Sequence, residues 1–141
     1  MSGHPQLIAY LQRAVAHEFG AAQQYTLQAA QAEAWGMKQL ADELRNGVHE
    51  ELRHAEIFLS RLLAAGAPPR VGQVGVARVG TSHAELLRFG MATESDALRL
   101  YEAGRRFCES IGDADNAAVF ARIYDDERAH YRELERQLRT I

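Results

Sequence analysis

The sequence predicts an all-α fold, four helices in two hairpins joined by one long crossover, on three observations. Ala, Leu, Glu, Gln and Arg, all strong helix formers, dominate nearly the whole chain. Apolar residues recur there at three- and four-residue steps, the period of a helix with one buried face. The exception is Gly66 to Gly80, GAPPRVGQVGVARVG, whose four glycines and Pro68-Pro69 cannot form a helix interior.

The first helix is expected over about 5–35, opened by Pro5, a favourable first-turn residue, and closed at Trp35-Gly36. Its stripe is Leu7, Leu11, Ala14, Ala21, Ala22, Tyr25, Ala29 and Ala32. The second, about 37–64, carries Leu40, Leu44, Val48, Ala55, Phe58 and Leu62 before Gly66 and the prolines stop it. Ser82 and Glu85 form an S-x-x-E capping box for the third, about 82–111, with Leu87, Met91, Leu98, Tyr101 and Cys108 inward. Gly112 ends it, and Asp113 is the N-cap of the fourth, about 114–138, which turns Phe120, Ile123, Tyr131, Leu134 and Leu138 to the core.

The linker over about 65–81 decides the topology. An up-down-up-down bundle needs only a few residues there. At ~3.3 Å per residue this one reaches ~50 Å, enough to cross a helix of ~40 Å, so the second and third helices are expected to run parallel.

Composition narrows the function classes. A chain of 141 residues with 47% apolar content builds one core, a single domain over 1–141. Its net charge of −3, with no Lys/Arg-rich block, makes neither nucleic acid nor an anionic membrane the expected partner. No run of ~18 apolar residues occurs, and Met1 to Leu11 lacks the layout of a signal peptide, so a soluble cytoplasmic protein is expected. The single cysteine, Cys108, leaves no internal disulfide and no sulfur-based zinc or Fe–S site; it reads as a small core residue.

Carboxylates interrupt the apolar stripes at four places. Glu18 lies mid-stripe in the first helix and Glu94 in the third, while the second and fourth carry Glu51-Leu52-Arg53-His54 and Glu127-Arg128-Ala129-His130. Glu18 and Glu51 are 33 residues apart, as are Glu94 and Glu127, and adding 76 to 18, 51 and 54 gives 94, 127 and 130. The chemistry-bearing groups are an internal duplication. Counted from the hairpin turns at ~1.5 Å per residue, all four carboxylates stand at one level, halfway along the bundle. Four ionised carboxylates in a dry core must protonate or share cations. A Glu-x-x-His step turns both side chains one way, so two divalent metals, with a carboxylate bridging and a His on each, fit the pattern. Oxygen and imidazole donors suit iron or manganese, and zinc would also bind.

Either Glu-x-x-His motif alone would be an ordinary solvated helix face; the doubled set with matching glutamates is what points to metal. Glu43, Glu50, Asp125 and Asp126 read as surface acids or as acids backing the ligands, mainly the former, and His4, His17, His49 and His83 as solvent-facing rather than ligands. Tyr25 and Tyr101 each lie seven residues after their helix's glutamate and share the same 76-residue shift. They are either an aromatic layer bonded to a ligand carboxylate or, Tyr25 above all, redox-active groups.

With Glu18, Glu94 and the two Glu-x-x-His motifs in place, the chain resembles the ferritin-like superfamily, and within it bacterioferritin, from about Leu7 to Leu138. The similarity includes the segments at Gln24-Tyr25, Trp35-Gly36 and Glu50-Glu51. It implies a ferritin-like bundle with a ferroxidase centre: Glu51 and Glu127 bridging two irons, Glu18 and Glu94 terminal, His54 and His130 completing one iron each. It further implies oxidation of Fe(II) by dioxygen or hydrogen peroxide, and storage of Fe(III) inside a homo-oligomer, a 24-subunit shell of two-fold dimers.

The chain departs from that pattern in places. Where bacterioferritins carry the haem-ligating methionine after the second-helix glutamate, this chain has Leu52, so no haem is expected. The fifth, C-terminal helix of the family is not expected before Ile141, and Asn46 and Glu50 stand where the family often presents a His and an Asp. Rubrerythrins typically add a third-helix carboxylate where this chain has Ala97. Two other functions are compatible with the same residues: a non-storing dimeric diiron oxidase or peroxide scavenger, and a non-catalytic metal-binding bundle.

Overall fold

A computed structural model of the chain describes residues 3–141; Met1 and Ser2, at the start of the expected domain, lie outside them. The helices are α1 (Pro5–Ala34), α2 (Lys38–Ala64), α3 (His83–Ser110) and α4 (Ala114–Arg139). Each matches its expected range to within a residue at either end. The difference is capping: Trp35, Met37, Ser82 and Ile111 are cap residues flanking the helices.

Local chemistry sets these ends. The His4 ring Nδ1 accepts from the Gln6 amide at 3.0 Å, ahead of Pro5 at the first turn. Gly36, at φ +79°, reverses the chain after α1, and the Met37 amide closes the turn on the Ala32 carbonyl at 2.9 Å. At α3 the Ser82 hydroxyl accepts from the Glu85 amide, while Glu85 reaches one residue further back than a capping box would, to the Thr81 amide at 2.8 Å. Asp113 accepts from the Asn116 amide to open α4.

Packing joins α1 to α2, α3 to α4, and α1 to α3. Gln28 meets Leu86, Tyr25 meets Glu94 and Glu18 meets Tyr101, so α1 runs antiparallel to α3, and α2 is therefore parallel to it. The crossover is as expected. It runs the length of the bundle, past Gly20 at Val74, and is pinned at Arg78. There two buried glutamines of α1 take hold: Gln24 Oε1 accepts from the Arg78 amide and Gln28 Nε2 donates to the Arg78 carbonyl, both at 3.0 Å.

The inner face of α3 differs from the expected stripe. Met91 and Leu98 are only half-buried, and the buried line is Leu86, Leu87, Gly90, Thr93, Glu94, Ala97, Tyr101, Gly104 and Cys108. Small residues sit there because α4 comes close: a Cβ on Gly104 would stand 2.8 Å from the Phe120 ring. A phase read from large apolar residues follows the wrong edge of such a face. On α4, Tyr131, Leu134 and Leu138 are likewise only half-buried.

The apolar core is divided. One cluster gathers Leu7, Leu11, Phe58, Leu62, Tyr101, Phe120 and Ile123; the other gathers Tyr25, Ala29, Leu40, Leu44, Leu86 and Leu87. Cys108 is buried in the first, its thiol pushed up to about 11 by that burial. Among the described residues no helix is long and apolar enough to cross a membrane.

Gly80 is the most constrained point of the crossover. It sits at φ +95°, and a Cβ there would meet the Leu86 amide nitrogen at 2.8 Å and the Glu85 carbonyl carbon at 3.1 Å, both backbone atoms. Gly80→Ala is expected to lower unfolding free energy by ~2 kcal/mol, read as a lower urea midpoint with an unchanged m-value.

Candidate metal centre

Between the two apolar clusters lies a polar layer supplied by all four helices. Glu18, Glu51 and Glu127 are fully buried, Glu94 is 1% exposed and His54 3%. His130 closes the layer with its side chain 24% exposed. The six residues singled out from sequence as metal ligands come together here.

Their contacts form two overlapping groups. His54 Nδ1 lies 3.6 Å from Glu18 Oε1, 3.4 Å from Glu51 Oε1 and 3.2 Å from Glu127 Oε1. His130 Nδ1 lies 3.8 Å from Glu94 Oε1, 3.6 Å from Glu51 Oε1 and 3.4 Å from Glu127 Oε1. Glu51 and Glu127 are shared, and each group adds one private glutamate and one histidine. In both groups the donor atoms lie within 4.8 Å of one another, close enough for each group to hold one cation. The two imidazole rings stand 6.5 Å apart and nearly parallel, at 28°.

The tyrosines cross between the hairpins. The Tyr25 hydroxyl, on α1, donates to Glu94 Oε1 on α3 at 2.5 Å, and the Tyr101 hydroxyl, on α3, donates to Glu18 Oε1 on α1 at 2.5 Å. Each private glutamate thus has one oxygen held by a tyrosine and the other free for the centre. Both tyrosines make the hydrogen bond to a ligand-type carboxylate that the first of their two readings expects. Tyr25 also lines a cavity of about 310 Å³ that reaches Glu94 and His130, with Glu43 and Glu133 in its wall.

Seven buried polar atoms of this layer have no hydrogen-bond partner: Glu18 Oε2, both oxygens of Glu51 and of Glu127, Glu94 Oε2 and His54 Nδ1. Orphaned buried acceptors are costly, and a set of them converging from four helices calls for protons or cations. Burial, with Glu18 and Glu127 nearby, drives the Glu51 carboxyl well above the usual carboxylate range, and burial, with Glu94 and Glu18, does the same to Glu127. Burial works against charge on His54, but contacts with Glu127, Glu18 and Glu51 outweigh it and the imidazole holds its proton far above its usual range. His130, opposed by burial and favoured by Glu94, rises to about 9. Burial also opposes ionisation of Glu94, yet His130 and Glu127 hold it below the ordinary value. Burial first, and then the neighbouring glutamates, push both tyrosine hydroxyls up, so they remain donors. Oxygen and imidazole donors without sulfur fit iron, manganese or zinc.

Two acids take the less favoured of the two places the sequence left open to them. Asp126 Oδ2 lies 3.0 Å from His54 Nε2, and Glu50 Oε2 lies 2.8 Å from His130 Nε2. Read mainly as surface acids, they instead touch the far side of each imidazole. The signal was in the duplication, because 50 and 126 are also 76 apart. Glu43 and Asp125 are exposed, as are His4 and His49. His17 and His83 are half-buried rather than solvent-facing, and His17 packs edge-on against Tyr101. None of these four histidines enters the layer. Trp35, the turn anchor, packs against the second apolar cluster.

Known proteins resemble this chain in sequence and in fold. A family model for the ferritin-like domain matches residues 8–141. The chain is 31% identical over 138 residues to a bacterioferritin of Rhodobacter capsulatus, spanning 98% of this chain and 86% of that one. It is 32% identical over 138 residues to a bacterioferritin of Brucella melitensis, with 98% and 86% covered. The solved structure of the Rhodobacter capsulatus bacterioferritin, with a metal-free dinuclear site and a haem iron, aligns at a TM-score of 0.96 and 31% identity over 99% of this chain and 88% of that one. The Mycobacterium tuberculosis bacterioferritin BfrA aligns at 0.95 and 30% identity, over 99% and 88%. With the family model running almost end to end and relatives above 30% identity along most of their length, the chain belongs to the ferritin-like domain family, with bacterioferritins among its relatives.

Proposed function

We propose that this chain is a bacterioferritin-like ferroxidase that takes up two Fe(II) ions and oxidises them, serving iron storage or detoxification in a homo-oligomer. The observation that carries the proposal is the pair of four-residue groups sharing Glu51 and Glu127, with seven buried donor atoms unpartnered. In this reading Glu51 and Glu127 bridge the two ions, Glu18 and His54 complete one, and Glu94 and His130 complete the other.

The protein's part in the reaction is electrostatic. Buried carboxylates lose their mutual repulsion when divalent substrate arrives, and they favour the trivalent product still more, so the ligand set biases iron toward oxidation. Each Fe(II) gives up one electron. Dioxygen accepts two electrons and two protons to leave as hydrogen peroxide; hydrogen peroxide as the acceptor takes the same number to leave as two waters. The tyrosine bonds to Glu94 and Glu18 keep those carboxylates aimed inward. The proposal includes no bis-methionine haem, because Leu52 has no donor atom; purified protein is expected to lack a Soret band.

Anaerobic Fe(II) titration of the metal-free protein, followed by air, tests the proposal. Two irons per chain and rapid growth of ferric absorbance are expected, and bound iron without oxidation would leave only a metal-binding bundle. The particle mass of the same sample separates a storage cage from a non-storing dimer. Glu18→Ala, Glu51→Ala and Glu127→Ala are expected to cut oxidation to the rate in buffer while keeping the helical circular dichroism, since each also removes a source of core repulsion. Parent rates in any of them would show that the centre lies elsewhere.

Tyr25 is the tyrosine assigned to the chemistry, because it lines the cavity that reaches Glu94 and His130. Tyr25→Phe is expected to bind two Fe(II) per chain and to slow only the oxidative step, measured by stopped-flow absorbance. Unchanged kinetics would reduce Tyr25 to packing.

A further inference from the structure

We propose that Asp126 and Glu50 are positioning residues of the metal centre, each fixing the imidazole of the opposite hairpin so that its Nδ1 faces the carboxylates. The inference rests on the metal reading above and deepens it.

An imidazole presents a lone pair to a cation from one nitrogen only, and the hydrogen bond made by the other nitrogen decides which one. Both histidines turn Nδ1 inward, to within 3.2–3.8 Å of the glutamate oxygens. Both turn Nε2 outward onto a carboxylate: Asp126 at 3.0 Å and Glu50 at 2.8 Å. Each acceptor's side chain is 45% exposed, at the rim of the buried layer. With Nε2–H committed to that acceptor, rotation of the ring by half a turn would leave a donor facing solvent and a carboxylate without its partner.

Position in the chain makes the device work. Asp126 directly precedes Glu127 and Glu50 directly precedes Glu51, so each is rotated ~100° around its helix from a shared glutamate, toward the rim. From there Asp126 on α4 reaches His54 on α2, and Glu50 on α2 reaches His130 on α4. Close helix packing joins α1 to α2, α3 to α4 and α1 to α3, while α2 and α4 meet through side chains, at Phe58–Phe120 and Arg61–Asn116 as well as here. The same two contacts therefore hold the imidazoles and add to the links between the hairpins at the level of the centre.

Zinc, which is diamagnetic and does not change oxidation state, is the probe. Zn(II) is titrated against a chelator into protein with 15N-labelled histidine, and long-range 1H–15N spectra report which ring nitrogen is coordinated and which carries a proton. In the parent, two Zn(II) per chain are expected, with Nδ1 of His54 and His130 coordinated and Nε2 protonated. Asp126→Ala is expected to weaken one of the two equivalents ~10–100-fold and to lose the slowly exchanging His54 Nε2–H, leaving the His130 signals in place. Glu50→Ala should do the converse. Asp126→Asn and Glu50→Gln keep an acceptor oxygen and are expected to recover most of the affinity.

Parent affinity and unshifted imidazole signals in the alanine variants would overturn the proposal. So would amide variants as defective as the alanine ones, because the acids would then act by charge and not by holding the ring. A parent chain that binds fewer than two Zn(II), or binds them without its histidines, would instead defeat the metal reading itself.

Discussion

Four carboxyl groups withdrawn from water at mid-bundle are the constraint on which the rest of this molecule is arranged. A carboxylate without a partner in a dry interior is among the costliest groups a protein can carry, and here three are completely buried and the fourth almost so. The fold offsets the cost by splitting its core into two apolar clusters, one on each side of the polar layer. Large residues such as Phe58, Phe120, Leu11 and Leu62 supply cohesion on one side; Leu86 and Leu87 are among those that do so on the other. Tyr101 belongs to the first cluster and Tyr25 to the second, so each sends a hydroxyl from apolar surroundings into the layer between. Helices of 26 to 30 residues are needed because a shorter bundle could not stack a core, a charged layer and another core.

Much of this was legible in the sequence, because helical periodicity and charge are written at fixed intervals. A glutamate on an apolar stripe stands out against its neighbours, and a second copy of the pattern 76 residues later removes the ambiguity of a single motif. The length and composition of the segment around Pro68-Pro69 were enough to choose the crossover topology, since a segment that must span the bundle cannot be a tight turn.

What was not legible depends on partners distant in sequence or on surfaces that look ordinary. The inner face of α3 is marked by Gly90 and Gly104, and their smallness makes sense only once Leu134 and Phe120 are seen against them. Gln24 and Gln28 are buried for the sake of backbone atoms at Arg78, a role that no side-chain pattern announces. Glu50 and Asp126, half-exposed next to a buried glutamate, have the composition of a solvated helix edge. Their meaning lies across the bundle.

The contacts around the layer obey the duplication as closely as the sequence does. Tyr25 touches Glu94 as Tyr101 touches Glu18, and Asp126 touches His54 as Glu50 touches His130. The crossover contributes no residue to the layer, so the centre is chemically an interface between two like halves that happen to share one polypeptide. Every position in it consequently has a twin in the same molecule, with the same neighbours and a different degree of shelter: His54 is nearly sealed, whereas His130 is open to the cavity beside it. Comparing a substitution with its twin isolates the effect of solvent access from that of ligand identity, a matched control carried within a single chain.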